Sequence, residues 1–306
     1  MQDYKLLNRL CEIHSPSGNE ILMKEFLLDY INSNKNSWES QLEIIEGEDF
    51  QDCLILSFGK PKTAIFAHMD SIGYTVRYED QLVPIGGPHA ESGSKLVGED
   101  SLGPIECELL YTEDNKIKYK FGRAIDTGTD LVYKCNFIES EEYITSCYLD
   151  NRLGVYNAIK VAETLKNGVI VFSTWEEHGG GSVSYLAKYI YERWNIKQAL
   201  ISDITWVTEG VHHGKGVAIS MRDRLIPRKS FINKIIKLAQ ESGVPFQLEV
   251  EASGSSDAKE LQSSAYPFDW CFIGAPEENV HTPEETVAKS DIECMIELYK
   301  YLMVNL

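Results

Sequence analysis

Apolar residues along this chain fall into two spacings that alternate from start to end. Tyr4, Leu7, Leu10 and Cys11 recur at helical intervals, as do Leu22, Phe26 and Tyr30 after the turn Ser15-Pro16-Ser17-Gly18, which predicts two amphipathic helices. Runs with β character follow at 42–45, 53–58 and 63–67, the last leading into His68-Met69-Asp70. Further on, a helix through Val155, Ala158, Ala162 and Leu165 is expected to stop at Gly168, and the β-branched run Val169 to Thr174 reads as a buried strand. A helix over 183–194, strands at 199–201 and 217–221, a helix over 230–240, strands at 246–250 and 270–273 and a last helix over 292–304 complete the rhythm. Helices and strands in this succession predict an α/β fold, a mixed sheet flanked by helices.

Between about Tyr74 and Tyr143 the texture changes. Short β-rich pieces at 74–78, 82–85, 105–111, 117–121 and 131–137 are separated by turns, with no helical pattern among them. This predicts a small all-β domain over 74–143, inserted in an α/β domain made of 1–73 and 144–306 and serving oligomerisation or substrate access.

Composition narrows the function. The chain has 306 residues, 43% hydrophobic and 25% charged, as in a globular protein with ample core. Its 47 Asp and Glu against 29 Lys and Arg argue against nucleic acid or an anionic membrane as partner, since both require clustered cations. The charge serves solubility, and some carboxylates are candidates for holding metal ions or attracting a free amine. Seven scattered cysteines without a Cys-x-x-Cys pair predict reduced core thiols and a cytoplasmic protein. The start, Met1-Gln2-Asp3-Tyr4-Lys5, shows no signal-peptide pattern, and no apolar run approaches the roughly 20 residues that span a bilayer.

The chemistry gathers where apolar runs stop. His68 and Asp70, Asp150, Glu176 and Glu177, Asp203, and His281 after a short loop each follow such a run. In open α/β sheets the carboxyl ends of parallel strands form the site. Endings of this kind, far apart in sequence but alike in position, predict one metal site. Two divalent ions about 3.5–4 Å apart are well served by a bridging carboxylate. Asp150 is the expected bridge, with His68 and Asp203 completing one ion and Glu177 and His281 the other. Asp70, at i+2 from His68, is placed to hold the ring's distal nitrogen. Glu176 is the expected general base, then the acid that protonates the leaving amine.

As a set, Ser15-Pro16-Ser17-Gly18-Asn19-Glu20, Ala67-His68-Met69-Asp70-Ser71-Ile72-Gly73, Ile85-Gly86-Gly87, Leu149-Asp150-Asn151-Arg152, Glu176-Glu177, Ser202-Asp203 and Val280-His281-Thr282-Pro283-Glu284 resemble the tetrahedral, or deblocking and glutamyl, aminopeptidases. The matching segments span nearly the whole chain in the family's order. The resemblance implies a zinc-peptidase-like fold, two bound zinc or cobalt ions, removal of N-terminal residues from short peptides by metal-activated water, and a homo-oligomer. This chain departs from the family at Asn151, where a second aspartate is usual, and at His178-Gly179-Gly180-Gly181; its insertion is also short.

Other readings stand beside this one. A related metallo-carboxypeptidase or deacylase shares such a metal cluster, and a non-catalytic peptide-binding scaffold keeps such a fold. A glycosidase is disfavoured because its two carboxylates must stand apart across a sugar. His178 is a candidate substrate contact or an exposed turn residue. Ser256 and Asp257, in a glycine-rich loop that resembles the family's substrate loop, are candidate substrate contacts or caps of the next helix. His89 reads as a β-loop residue, or one reaching a neighbouring subunit, and His212 and His213 as surface loop.

Overall fold

A computed structural model describes residues 3–114 and 116–306; Met1 and Gln2, where the leader reading began, lie outside them. Among the described residues the backbone forms an 11-stranded mixed sheet and a separate 6-stranded antiparallel sheet. At the heart of the large sheet Gly168–Ser173, Ala64–His68, Gln198–Trp206 and Asp269–Glu278 lie side by side and parallel. These strands are buried on both faces, so they read as apolar runs and not as alternating ones.

Their side chains nevertheless alternate between two cores. Ile65, Ala67, Ile170, Phe172 and Leu200 join the core under the helices Lys5–Glu12, Ile21–Asn34, Leu149–Ala162, Lys229–Ser242 and Lys289–Asn305. Phe66, Val171, Ala199 and Ile201 face the opposite core with Ser182–Trp194 and Ala258–Ser263. Period two therefore sends His68, Ser173 and Asp203 to this second face, at neighbouring strand levels. Sequence spacing has brought three polar residues to one edge of one layer.

The six-stranded sheet runs from Gly73–Val76 to Asp130–Tyr133, and a bridge between Gln81 and Lys118 draws its edges together. Its core is Tyr74, Leu96, Leu109, Leu131 and Tyr133. The chain then returns to the large sheet through Ile138–Glu139 and Tyr143–Ser146, the latter antiparallel to Glu285–Ala288. Among the described residues no helix is long and apolar enough to cross a membrane.

Several local expectations are corrected. Gly168 opens its strand, and the preceding helix ends at Ala162. In the second helix the buried stripe is Met23, Leu27 and Ile31, while Leu22 is exposed; two overlapping apolar stripes made the spacing ambiguous. Strand Lys95–Asp100 was missed because its charged ends and Gly98 carry weak β propensity. The strand expected over 131–137 stops at Tyr133, and those expected to end at Ile201 and Ile273 run on to Trp206 and Glu278.

Gly154 marks the closest approach of helix Leu149–Ala162 to the sheet. A Cβ there would lie 2.1 Å from the Ser202 carbonyl oxygen and 2.1 Å from Asn151 Oδ1. Gly154→Ala is expected to cost about 3 kcal/mol through overpacking, seen as a Tm lower by several degrees; an unchanged Tm would show that the helix has room to shift.

Candidate metal centre and active site

His68, at the end of its strand, is almost fully buried, and its Nε2 lies 3.3 Å from Asp150 Oδ1 and 3.4 Å from Asp203 Oδ2. The other Asp150 oxygen, Oδ2, lies 3.3 Å from His281 Nε2, which is itself 3.1 Å from Glu177 Oε2. The two oxygens of one carboxylate thus face two different His/carboxylate pairs. His68, Asp150 and Glu177 also have ligand atoms all within 4.8 Å of one another. Asp150 Oδ1 and Glu177 Oε1 are buried without a hydrogen-bond partner. Orphaned buried carboxylate oxygens beside imidazole nitrogens are the donor set that a divalent cation satisfies, displacing any proton on the rings. The residues present therefore fit metal ions.

Charge follows the geometry. For His281, burial alone lowers the pKa, but the carboxylates of Asp150 and Glu177 overturn it and hold the ring up at about 12. Burial, then the Asp150 charge, push Glu177 up to about 7. Glu176 is raised well above the usual range, chiefly by burial and further by Glu177 and Asp203, against the pull of His68. Asp150 is buried too, yet the two histidines hold it below the usual carboxylate range. Negative charge is concentrated here beyond what protein cations neutralise.

The supporting contacts explain why distant segments meet. Asp70 Oδ1 lies 3.3 Å from His68 Nδ1. The same carboxylate accepts the backbone N–H groups of Glu176 and Glu177, both at 3.1 Å, and the Ser17 hydroxyl at 2.6 Å. One buried aspartate therefore faces the histidine ring and fixes the turn that carries the two glutamates. The opening turn helps: Glu20 Oε1 accepts from Gly18 N–H and Trp175 N–H. Gly87 supplies the matching support for His281, its carbonyl oxygen 3.1 Å from Nδ1. A proton on Nδ1 leaves Nε2 free toward Asp150 and Glu177.

Backbone strain gathers at the same place. Tyr148, Trp175 and His281 have φ of 66°, 64° and 66°, left-handed values that bulky residues avoid. These kinks turn Asp150, Glu176 and Glu177 off their elements and into the cavity, which Asp150, Glu176, Glu177, Asp203 and His281 all line.

Sequence reasoning missed Glu285, the neighbour of the Glu284 that closes the quoted motif. It is fully buried, accepting the N–H of Asp150 at 3.2 Å and that of His281 at 2.9 Å. One carboxylate holds the backbone of both residues that meet at Asp150 Oδ2. Glu285→Gln retains one acceptor oxygen and loses the other, so it is expected to weaken metal affinity roughly 10- to 100-fold, measured by competition with a chelator. Unchanged affinity would show that the two amides are held by other means.

His178 is exposed, and its Nδ1 accepts the Gly86 N–H at 3.0 Å, tying the Gly86-Gly87 loop to the glutamate turn. Ser256 and Asp257 are buried: Ser256 donates to Asp203 Oδ2 at 2.6 Å, and Asp257 accepts from the Ser173 hydroxyl. Neither caps the helix Ala258–Ser263 through its side chain. Asn151 donates to the Ser202 carbonyl and accepts Gly154 N–H, both at 2.9 Å; an aspartate there would set carboxylate oxygen against carbonyl oxygen. His89 donates its N–H to the His281 carbonyl within the same chain. His213 is not a plain surface residue: it is half-buried, edge-on to Tyr143 at 5.5 Å.

Fold and site together define a metal-dependent hydrolase. The chain belongs to the M42 glutamyl aminopeptidase family, which residues 113–298 match, and it is an aminopeptidase. The fold is shared with an aminopeptidase from the archaeon Desulfurococcus kamchatkensis, with TM-score 0.85 and 22% identity over 99% of this chain and 94% of that one. It is shared too with the TET1 peptidase of Pyrococcus horikoshii, with TM-score 0.80 and 20% identity over 99% of each chain.

Proposed function

We propose that this aminopeptidase is dinuclear, holding two zinc or cobalt ions and removing N-terminal residues from short peptides. The observation that carries this reading is the Asp150 carboxylate, whose two oxygens face His68 with Asp203 on one side and His281 with Glu177 on the other. His68 and Asp203 would hold one ion, Glu177 and His281 the other, with Asp150 between them. When bound, such ions polarise the scissile carbonyl and acidify water. Glu176, which lines the cavity beside Asp150 and Asp203, would take the proton from the attacking water and deliver it to the leaving amine. Asp70 keeps His68 oriented and holds the turn on which Glu176 works. Ser256 orients Asp203, while His178 and Asp257, the other candidates for substrate contact, accept the Gly86 N–H and the Ser173 hydroxyl.

We read residues 74–143 as an inserted domain that controls access or assembly. Pyrococcus horikoshii TET1 peptidase can assemble into a tetrahedron or a large octahedral shell, which supports a homo-oligomer here, acting in the cytoplasm. Metal analysis of protein reconstituted and then desalted tests the central point: two ions per chain are expected, and one ion per chain at saturation would contradict the bridge.

A further inference from the structure

The cavity does not end at the metal centre. Asp223, Glu249 and Glu251 continue its wall beyond Asp203, and no lysine or arginine is among the described residues lining it. Asp223, only 6% exposed, accepts the Leu225 N–H with Oδ1, while its Oδ2 is buried with no partner. Glu249, 3% exposed, takes the Thr205 hydroxyl on one oxygen. Arg222 stands next in the chain, but its Nε donates to the carbonyl oxygens of Asp223 and Glu251. A buried carboxylate oxygen left without a donor is costly unless a ligand supplies one.

Charge accounting points the same way. Two divalent ions balance Asp150, Glu177, Asp203 and Glu176, with the histidines neutral. Asp223, Glu249 and Glu251 add three carboxylates, against which Arg222 is the one cation acting on Asp223 among the described residues, and more negative charge is left than a single α-ammonium group neutralises. Burial pushes the carboxyls of Asp223 and Glu249 up, that of Asp223 against the pull of the nearby Arg222 charge.

We propose that this part of the cavity binds the side chain of an N-terminal lysine or arginine, so that the enzyme removes basic residues in preference to neutral or acidic ones. The inference rests on the aminopeptidase reading above. The dimensions suit it. Thr205, which holds Glu249, lies two residues beyond Asp203 in one strand, about 7 Å along the same face. That is the reach of a lysine stem from a carbonyl at the metal centre. Trp206 and Phe272 flank the path with apolar surface for the methylenes. A glutamate side chain would meet like charge, and norleucine would set a methyl group against an unpaired carboxylate.

Kinetics on peptides that differ only in the N-terminal residue, together with calorimetric binding of lysinamide and norleucinamide, test this. Lysine and arginine are expected to exceed norleucine in kcat/KM by about tenfold or more, glutamate to be poorest, and lysinamide to bind at least about tenfold tighter than norleucinamide. Asp223→Asn should lower the lysine-to-norleucine ratio about tenfold; the wild-type comparison stands if that variant does not fold. Cleavage with norleucine or glutamate preferred would overturn the pocket and leave the aminopeptidase intact. No cleavage, with lysinamide still binding more tightly, would uphold the pocket and remove the peptidase reading.

Discussion

Asp150→Ala is expected to strip the protein of both metal ions and abolish turnover. Among the described residues no other side chain divides its two oxygens between the clusters, so its loss opens both sides at once. Two histidines and two further carboxylates remain, but each pair then lacks an oxygen ligand and the negative charge between the ions. The loss of affinity should exceed the roughly 10- to 100-fold typical of a residue that only orients a ligand, which sets this variant apart from Glu285→Gln. Metal content after dialysis and kcat/KM are the measurements. Retention of both ions would mean that Asp150 bridges nothing. Loss of one ion alone would make it a ligand on one side only.

Glu176→Gln gives the complementary result: both ions stay and turnover falls by roughly 100- to 10,000-fold. The amide is close to isosteric and leaves the Glu176 N–H bond to Asp70 in place, so the turn and Glu177 keep their positions. What disappears is the group able to accept the water's proton and release it to the leaving amine. Metal content, substrate KM and kcat separate the outcomes. A large fall in kcat with metal retained supports proton transfer; full activity removes Glu176 from that role, and loss of metal makes it a ligand.

The two variants probe parts of the site that differ in how plainly the sequence declares them. That His68, Asp150, Glu177, Asp203 and His281 come together was an expectation the sequence offered, because polar residues following apolar runs stand out; parallel strands bring His68 and Asp203 to one edge, while Asp150 arrives on a helix and His281 on a loop. The strand alternation that puts His68 and Asp203 on one face is equally visible once the strands are recognised. Asp203 was legible as a candidate although its strand runs on to Trp206; it lies where the neighbouring strand ends, which only pairing reveals.

Other parts carry no local signal. Nothing about Tyr148, Trp175 or His281 announces a left-handed backbone, since tertiary contacts impose it. Glu285 looks like any glutamate at the start of a strand until its partners, the amides of Asp150 and His281, are seen to converge on it. Asp223 follows a strand in an unremarkable run, and only the cavity shows that its Oδ2 lacks a donor. The exposed Leu22 and the missed strand Lys95–Asp100 show the limit of pattern alone: burial is decided by what packs against a segment.

The most direct test of the central claim is mass spectrometry of a mixed peptide library incubated with chelator-treated protein and with the same protein reloaded with zinc or cobalt. The structure predicts ladders shortened from the N-terminus only, absent after chelation and restored by metal. Trimming from the C-terminus, deacylation alone, or N-terminal ladders indifferent to chelation would contradict it.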